Sequence, residues 1–258
     1  MVESIWRKGK LFGFMLLAGI LLMAKPALAD SYYPYEIQGY DVTVKVGKDN
    51  VYHVTERLQV NFNQARHGIY RDIPVINNVS REDGSTSRIQ ARVTNIKTYG
   101  EKKTVGREGS YCRIQLGDKN KTLVGEHMYH ISYDYNMGKD VRKGEDEFYY
   151  NIIGTSWDTT IQNVTFHIMM PEDIDESKVG MAYGESGSTN NEGLQYTING
   201  KVMEGYVDPS IILNPGEAVT VRMVLPDGYY DQVKQRIWPA LISILLSLAA
   251  AGAAFLLW

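Results

Sequence analysis

The residues best suited to chemistry fall in two short segments. Arg66-His67-Gly68-Ile69-Tyr70-Arg71-Asp72-Ile73-Pro74 places a cation, Arg71, and an acid, Asp72, among apolar Ile69, Tyr70 and Ile73. Charges in such company are partly desolvated, so pairing or hydrogen bonding becomes compulsory. Two roles stay open for Arg71. It would grip a ligand, or, as is more usual for such a side chain, tie loop carbonyls or a carboxylate together. Gly68 permits backbone conformations that other residues avoid, and Pro74 ends ladder pairing, so a fixed loop or edge crossing is expected here.

The second segment is Gly144-Glu145-Asp146-Glu147-Phe148-Tyr149-Tyr150-Asn151-Ile152-Ile153-Gly154-Thr155-Ser156-Trp157. Paired carboxylates serve as glycosidase acid and base or as ligands for a hard cation. Neighbouring strand side chains point to opposite faces, so Glu145 and Glu147 can share a face and Asp146 cannot join them. No second acidic cluster supports a calcium loop, and a solvated strand end is the simpler expectation.

The remaining reactive groups do not assemble into a catalytic set. His127 and His130 are three apart on a strand and so on opposite faces, which disfavours a metal pair. Cys112 sits in Tyr111-Cys112-Arg113-Ile114 with no identifiable partner histidine, as an ordinary strand thiol. His-Glu-x-x-His, Gly-x-Ser-x-Gly and a Walker glycine loop do not occur. Tyr129, Ile131, Tyr133 and Tyr135 share one strand face. Such a row is a core face more often than a sugar or peptide platform. No catalytic residue, metal or cofactor is expected.

The elements that must position these residues are strands. Period-two alternation runs through Tyr40 to Val46, Val51 to Phe62, Arg88 to Lys97, Tyr111 to Leu116, His127 to Tyr135, Ile161 to Met169 and Val219 to Leu225. Turn signals separate the runs, and Leu194 to Val207 is a hairpin expected to close on Asn199-Gly200 as a type I′ turn. Short strands without an amphipathic helical pattern predict an all-β chain, with one elaborated β-sandwich over residues 30–232.

The two ends differ from this middle section. Arg7, Lys8 and Lys10, an apolar run of 13 residues from Leu11 to Met23, and Ala27-Leu28-Ala29 have the order of a signal peptide over residues 1–29. A helix of that run reaches only about 20 Å, short of the roughly 30 Å hydrocarbon core. Ile237 to Trp258 is an uncharged run of 22 residues ending in Trp, reaching about 33 Å as a helix and so long enough to cross the bilayer. The expected topology is a single-pass cell-membrane protein, held in the lipid bilayer by residues 237–258 with its β domain outside the cytoplasm. Lys234 and Arg236 precede this helix, and no basic flank follows Trp258. A truncated or split reading frame of a longer membrane protein, or an artificial boundary within one, is therefore the expectation.

Charge narrows the partners. Of 27 Lys and Arg, four lie in the signal segment (Arg7, Lys8, Lys10 and Lys25), leaving 23; of 30 Asp and Glu only Glu3 does, leaving 29, a net of −6. A mildly acidic domain with one cysteine is neither a basic nucleic-acid binder nor a disulfide scaffold.

Four motifs in order, Gly-Ile-Tyr-Arg-Asp-Ile-Pro at 68–74, Asp-Glu-Phe-Tyr-Tyr-Asn-Ile-Ile-Gly-Thr-Ser-Trp at 146–157, Met170-Pro171 and Asn214-Pro215-Gly216-Glu217, resemble the DUF2207 family of predicted membrane proteins. The resemblance runs from about Tyr35 to Leu225. It implies a bacterial surface protein with a signal peptide, an extracytoplasmic β domain and membrane helices; members commonly continue past the first helix. It supplies no activity and no catalytic residues. Gly68, Tyr70, Arg71, Asp72, Pro74, Asp146, Glu147, Tyr149 and Trp157 stand as the candidate binding or structural motif. The leading expectation is an interaction module with a membrane-protein or envelope partner. A cell-wall or glycan hydrolase using surface carboxylates, and a structural scaffold of a larger membrane protein, are the alternatives.

Overall fold

A computed structural model describes residues 33–80, 84, 86–139 and 144–233, with Ser243, Leu246 and Ser247. The signal segment and nearly all of the C-terminal apolar run lie outside the described residues. Ser243, Leu246 and Ser247 are helical, and the Ser247 hydroxyl donates to the Ser243 carbonyl at 2.8 Å. Among the described residues no helix is long and apolar enough to cross a membrane.

The described chain is all-β. Its strands are β1 (Tyr35–Val46), β2 (Val51–Arg66), β3 (Ile69–Pro74), β4 (Ile76–Ser80), β5 (Thr86–Gln90), β6 (Arg92–Thr98), β7 (Lys103–Glu108), β8 (Tyr111–Leu116), β9 (Leu123–Asn136), β10 (Glu145–Ile153), β11 (Val164–Met169), β12 (Val179–Gly184), β13 (Leu194–Asn199), β14 (Val202–Val207) and β15 (Ala218–Pro226). They form a seven-stranded sheet, β13-β14-β11-β1-β2-β9-β6, two three-stranded sheets, β10-β15-β12 and β3-β8-β7, and the β4-β5 hairpin. All pairs are antiparallel except β1 with β11.

Alternation explains the arrangement. Tyr52, Val54, Leu58, Val60 and Phe62 of β2 are buried on one face, as are Tyr129, Ile131, Tyr133 and Tyr135 of β9. Against them lie Ile69 and Ile73 of β3, Ile114 and Leu116 of β8, Phe148 and Tyr150 of β10, and Val219, Val221 and Met223 of β15, in one continuous core. A large apolar side chain fully buried in this way contributes about 1.5–3 kcal/mol, so the shared core is what holds the separate sheets on the large one.

Three details depart from the sequence reading. The Arg88 to Lys97 run is two strands, β5 and β6, broken at Ala91, whose N–H donates to Val75 at 2.9 Å. The segment expected as a loop or edge crossing is the edge strand β3, ending on Pro74, which has no N–H to donate. The β13–β14 hairpin lies where expected, but Asn199 pairs with Val202, so its loop is Gly200-Lys201 and Gly200 carries the positive φ of 58°.

Candidate functional site

The site begins with an acid where an aliphatic residue belongs. Glu56 lies on β2 between Val54 and Leu58 on the inward face and is fully buried. On β3 the same alternation turns Ile69, Arg71 and Ile73 inward, and Arg71 is 2% exposed. The two meet as a bidentate pair, Arg71 Nε to Glu56 Oε2 and Arg71 Nη2 to Glu56 Oε1, both at 2.8 Å. Tyr40 of β1 donates its hydroxyl to Oε2 at 2.7 Å, and Tyr133 of β9 donates to Oε1 at 2.6 Å. The Tyr150 hydroxyl of β10 lies 3.0 Å from that of Tyr133. Arg71 Nη1 donates to the Asp72 carbonyl at 2.8 Å, and the Trp157 ring lies 5.7 Å from the guanidinium carbon.

Each Glu56 oxygen thus accepts two hydrogen bonds, which fills the roughly four lone-pair positions of a carboxylate. The network joins β1, β2 and β9 of the large sheet to β3 of one small sheet and β10 of the other. Arg71 is therefore a tie between sheets. Its charge faces a carboxylate inside the core, with no exposed fork left to grip a ligand.

Electrostatics agree with the geometry. Burial alone pushes the Glu56 carboxyl up, but the charge of Arg71, its hydrogen bonds and the hydroxyls of Tyr133 and Tyr40 outweigh burial and hold it below its ordinary value of 4.5. Burial also pushes the Tyr40 and Tyr133 hydroxyls well above theirs. A carboxyl depressed in the folded state adds stability above its unfolded pKa and loses it as pH falls through the folded value. The melting temperature is therefore expected to drop as pH falls below about 4.5, and Glu56→Gln is expected to flatten that drop; an equal slope in both proteins would contradict the assignment.

The outward face of β3 holds a second pair. Asp72 stands opposite Arg113 in register and accepts from its Nε at 2.8 Å and Nη2 at 2.7 Å. Glu108 approaches Arg113 at 3.5 Å, and the Arg113 guanidinium lies 5.2 Å from the ring centre of Tyr70, which is half exposed. Asp72, Asn77, Asn78, Glu108, Tyr111 and Arg113 line an open groove of about 590 Å³ on this face.

The acids of the second segment are not a solvated strand end. Asp146 and Glu147 are both buried; Asp146 accepts from the Tyr230 N–H at 3.1 Å and Glu147 from Arg222 Nε at 2.6 Å. They are engaged away from Arg71. Trp157 reaches Arg71, and Tyr149 joins Arg71, Pro74 and Gly154 around a cavity of about 20 Å³, room for about one water. Gly68 closes the β3–β8 ladder opposite Gly117.

Glu56, Tyr40 and Arg113 belong to these networks although no motif in the sequence singles them out, and Tyr150 lies within the 146–157 motif without being a candidate. Strand parity would have found Glu56, since Val54, Glu56, Leu58 and Val60 alternate on one face. His127 and His130 do lie apart, His127 Nε2 at 2.7 Å from Glu101 and His130 stacked on Tyr99. Among the described residues no group of three or more His, Cys, Asp or Glu could hold a metal ion. Half-buried Cys112 has its thiol pushed up, first by burial and then by Asp72.

Comparison with known proteins adds a family and little else. A family model described as the N-terminal domain of a predicted membrane protein, DUF2207, matches residues 36–225. No curated protein matches. Among solved structures, the chain is similar to an M1 zinc metallopeptidase from Deinococcus radiodurans, with 9% identity and a TM-score of 0.38 over 73% of this chain and 42% of that one. It is also similar to native leukotriene A4 hydrolase from Saccharomyces cerevisiae, with 6% identity and a TM-score of 0.38 over 78% of this chain and 32% of that one. The chain spans less than half the length of these structures, and a likeness this loose carries no argument about activity.

Proposed function

The chain belongs to the DUF2207 family of predicted membrane proteins, and from that premise we propose that it is a membrane-tethered β-sandwich module. It stands outside the cytoplasm of a bacterial cell, carried there by the signal segment and held by the apolar helix of residues 237–258. It binds a protein or envelope partner and has no catalytic role. The observation that carries this reading is the fate of the candidate carboxylates and of Glu56. Glu56, Asp72 and Glu147 are each spent on an arginine and Asp146 on a backbone N–H. None is held in reserve as an acid or base, and the open groove on the outward face of β3-β8-β7 is polar and accessible.

Photo-cross-linking in native membranes tests this. A photoreactive side chain at Tyr111, in the groove, is expected to give a discrete adduct that the same group at Thr43, on the outward side of the large sheet, does not. Equal labelling at both positions would contradict the reading. So would release of products from purified wall or glycan material that is lost on Glu147→Gln.

A further inference from the structure

Among the described residues, the sheet β3-β8-β7 ends in a strand, β7, with no strand paired along its outer edge. Every residue of β7 is exposed, and Val105, although it lies on the same face as buried Ile114, is 46% exposed. The Gly117 N–H donates to the Lys102 carbonyl at 2.9 Å, which fixes the phase of the β7–β8 ladder. Hydrogen-bonded pairs alternate along an antiparallel ladder, so residues 104, 106 and 108 direct their backbone groups to β8, while 103, 105 and 107 direct theirs to the open edge.

The charge on that edge is unlike that of the domain. Lys103 and Arg107 flank Val105 on one face of β7, in a chain whose sum beyond the signal segment is −6. Lys102 is engaged by Asp118 at 2.7 Å and Arg107 Nε by the Gly109 carbonyl at 3.0 Å, but among the described residues neither Lys103 nor Arg107 is paired with a carboxylate. A second copy added centrally on Val105 would set Lys103 against Arg107, and like charges directly opposite destabilise a strand pair. Basic edges suppress self-pairing while admitting a strand of opposite charge.

We propose that the open edge of β7 receives an extended acidic peptide segment as a fourth strand, with acids opposite Lys103 and Arg107 and an apolar residue opposite Val105. Backbone hydrogen bonds to residues 103, 105 and 107 supply affinity, and the alternate side chains supply selectivity. This inference rests on the binding-module reading and names its partner's chemistry.

The test uses the full chain in detergent micelles and a fluorescein-labelled peptide centred on Glu-Thr-Val-Thr-Glu, with a counterpart carrying Lys for both Glu. The acidic peptide is expected to bind saturably and about tenfold more tightly than its counterpart. Val105→Pro removes one edge N–H and leaves the ladder to β8 intact; it is expected to weaken binding about tenfold with unchanged melting. Lys103→Glu with Arg107→Glu is expected to reverse the preference between peptides. Absence of saturable binding, equal binding of the two peptides, or indifference to both variants would overturn the proposal. Concentration-dependent dimers dissolved by Val105→Pro would assign the edge to a second copy and overturn it as well. Adducts at Tyr111 that persist when the peptide fails would leave the binding-module reading standing while this one falls.

Discussion

Arg71→Met is expected to destabilise the domain by about 3–5 kcal/mol, because it removes one partner of a buried pair and leaves the other charged in the core. The Tyr40 and Tyr133 hydroxyls still reach Glu56, but two neutral donors do not replace a guanidinium. The cheaper course for an unpaired buried carboxylate is to take up a proton, so its folded pKa rises above the unfolded value. The folded variant then binds more protons than the unfolded chain, and its stability increases as pH falls towards the unfolded pKa, opposite in sign to the unsubstituted chain. Urea midpoints are expected to rise from pH 7 to pH 5 for the variant, while in the unsubstituted chain Glu56, held below its ordinary value of 4.5, contributes no change over that interval. Adding Glu56→Gln to Arg71→Met removes the orphaned charge and is expected to restore about 1–2 kcal/mol. A surface arginine that served a ligand would instead change stability by only about 0.5 kcal/mol. That outcome would refute the tie between sheets.

Gly68→Ala carries the second large effect. Gly68 has φ of 127°, and a Cβ there would fall on the Leu116 carbonyl oxygen; Gly117 across from it has φ of 137°, and its Cβ would fall on the carbonyl oxygen of His67. The two backbones approach this closely just beyond the Ile69–Leu116 pair that starts the β3–β8 ladder. Backbone strain of about 1–3 kcal/mol and overpacking of about 1–3 kcal/mol act together, so a loss of about 2–6 kcal/mol is expected. Gly106→Ala is the control. A Cβ at Gly106 would meet no atom within 4 Å, and its φ is not positive, so this substitution is expected to be neutral within about 0.5 kcal/mol. Equal losses from both substitutions would contradict the close approach at Gly68.

The strands were legible because one face of most of them is buried, and burial imposes period two. Tyr111–Leu116 matches its strand end to end, and β1, β2, β9 and β15 differ from the sequence reading only at their ends. Reading failed where long-range contacts override the local pattern. Ala91 continues the alternation but is drawn to Val75, splitting one run into two strands. Asp146 and Glu147 look solvated in sequence, and their partners Tyr230 and Arg222 lie more than 70 residues away. Pairing over such distances leaves no local trace.

The candidate site was half visible. Arg71, Asp72 and Trp157 stood out as unusual residues in unusual company, and Arg71 does tie to a carboxylate. Which carboxylate was readable only by treating Glu56 as a violation of its strand's apolar face. Its distance of 15 residues from Arg71 and its position inside a regular strand, away from any motif, concealed it.

The most direct measurement of the central claim is the solvent exchange of the Arg71 Nε–H, followed by nitrogen-15 NMR on the full chain in micelles. Arg71 inside the Glu56 network should give a resolved Nε–H signal whose exchange is as slow as that of the buried amides of β2 and β9, and which shifts on Glu56→Gln. An Arg71 Nε–H that exchanges as fast as those of exposed arginines and ignores Glu56→Gln would contradict the account.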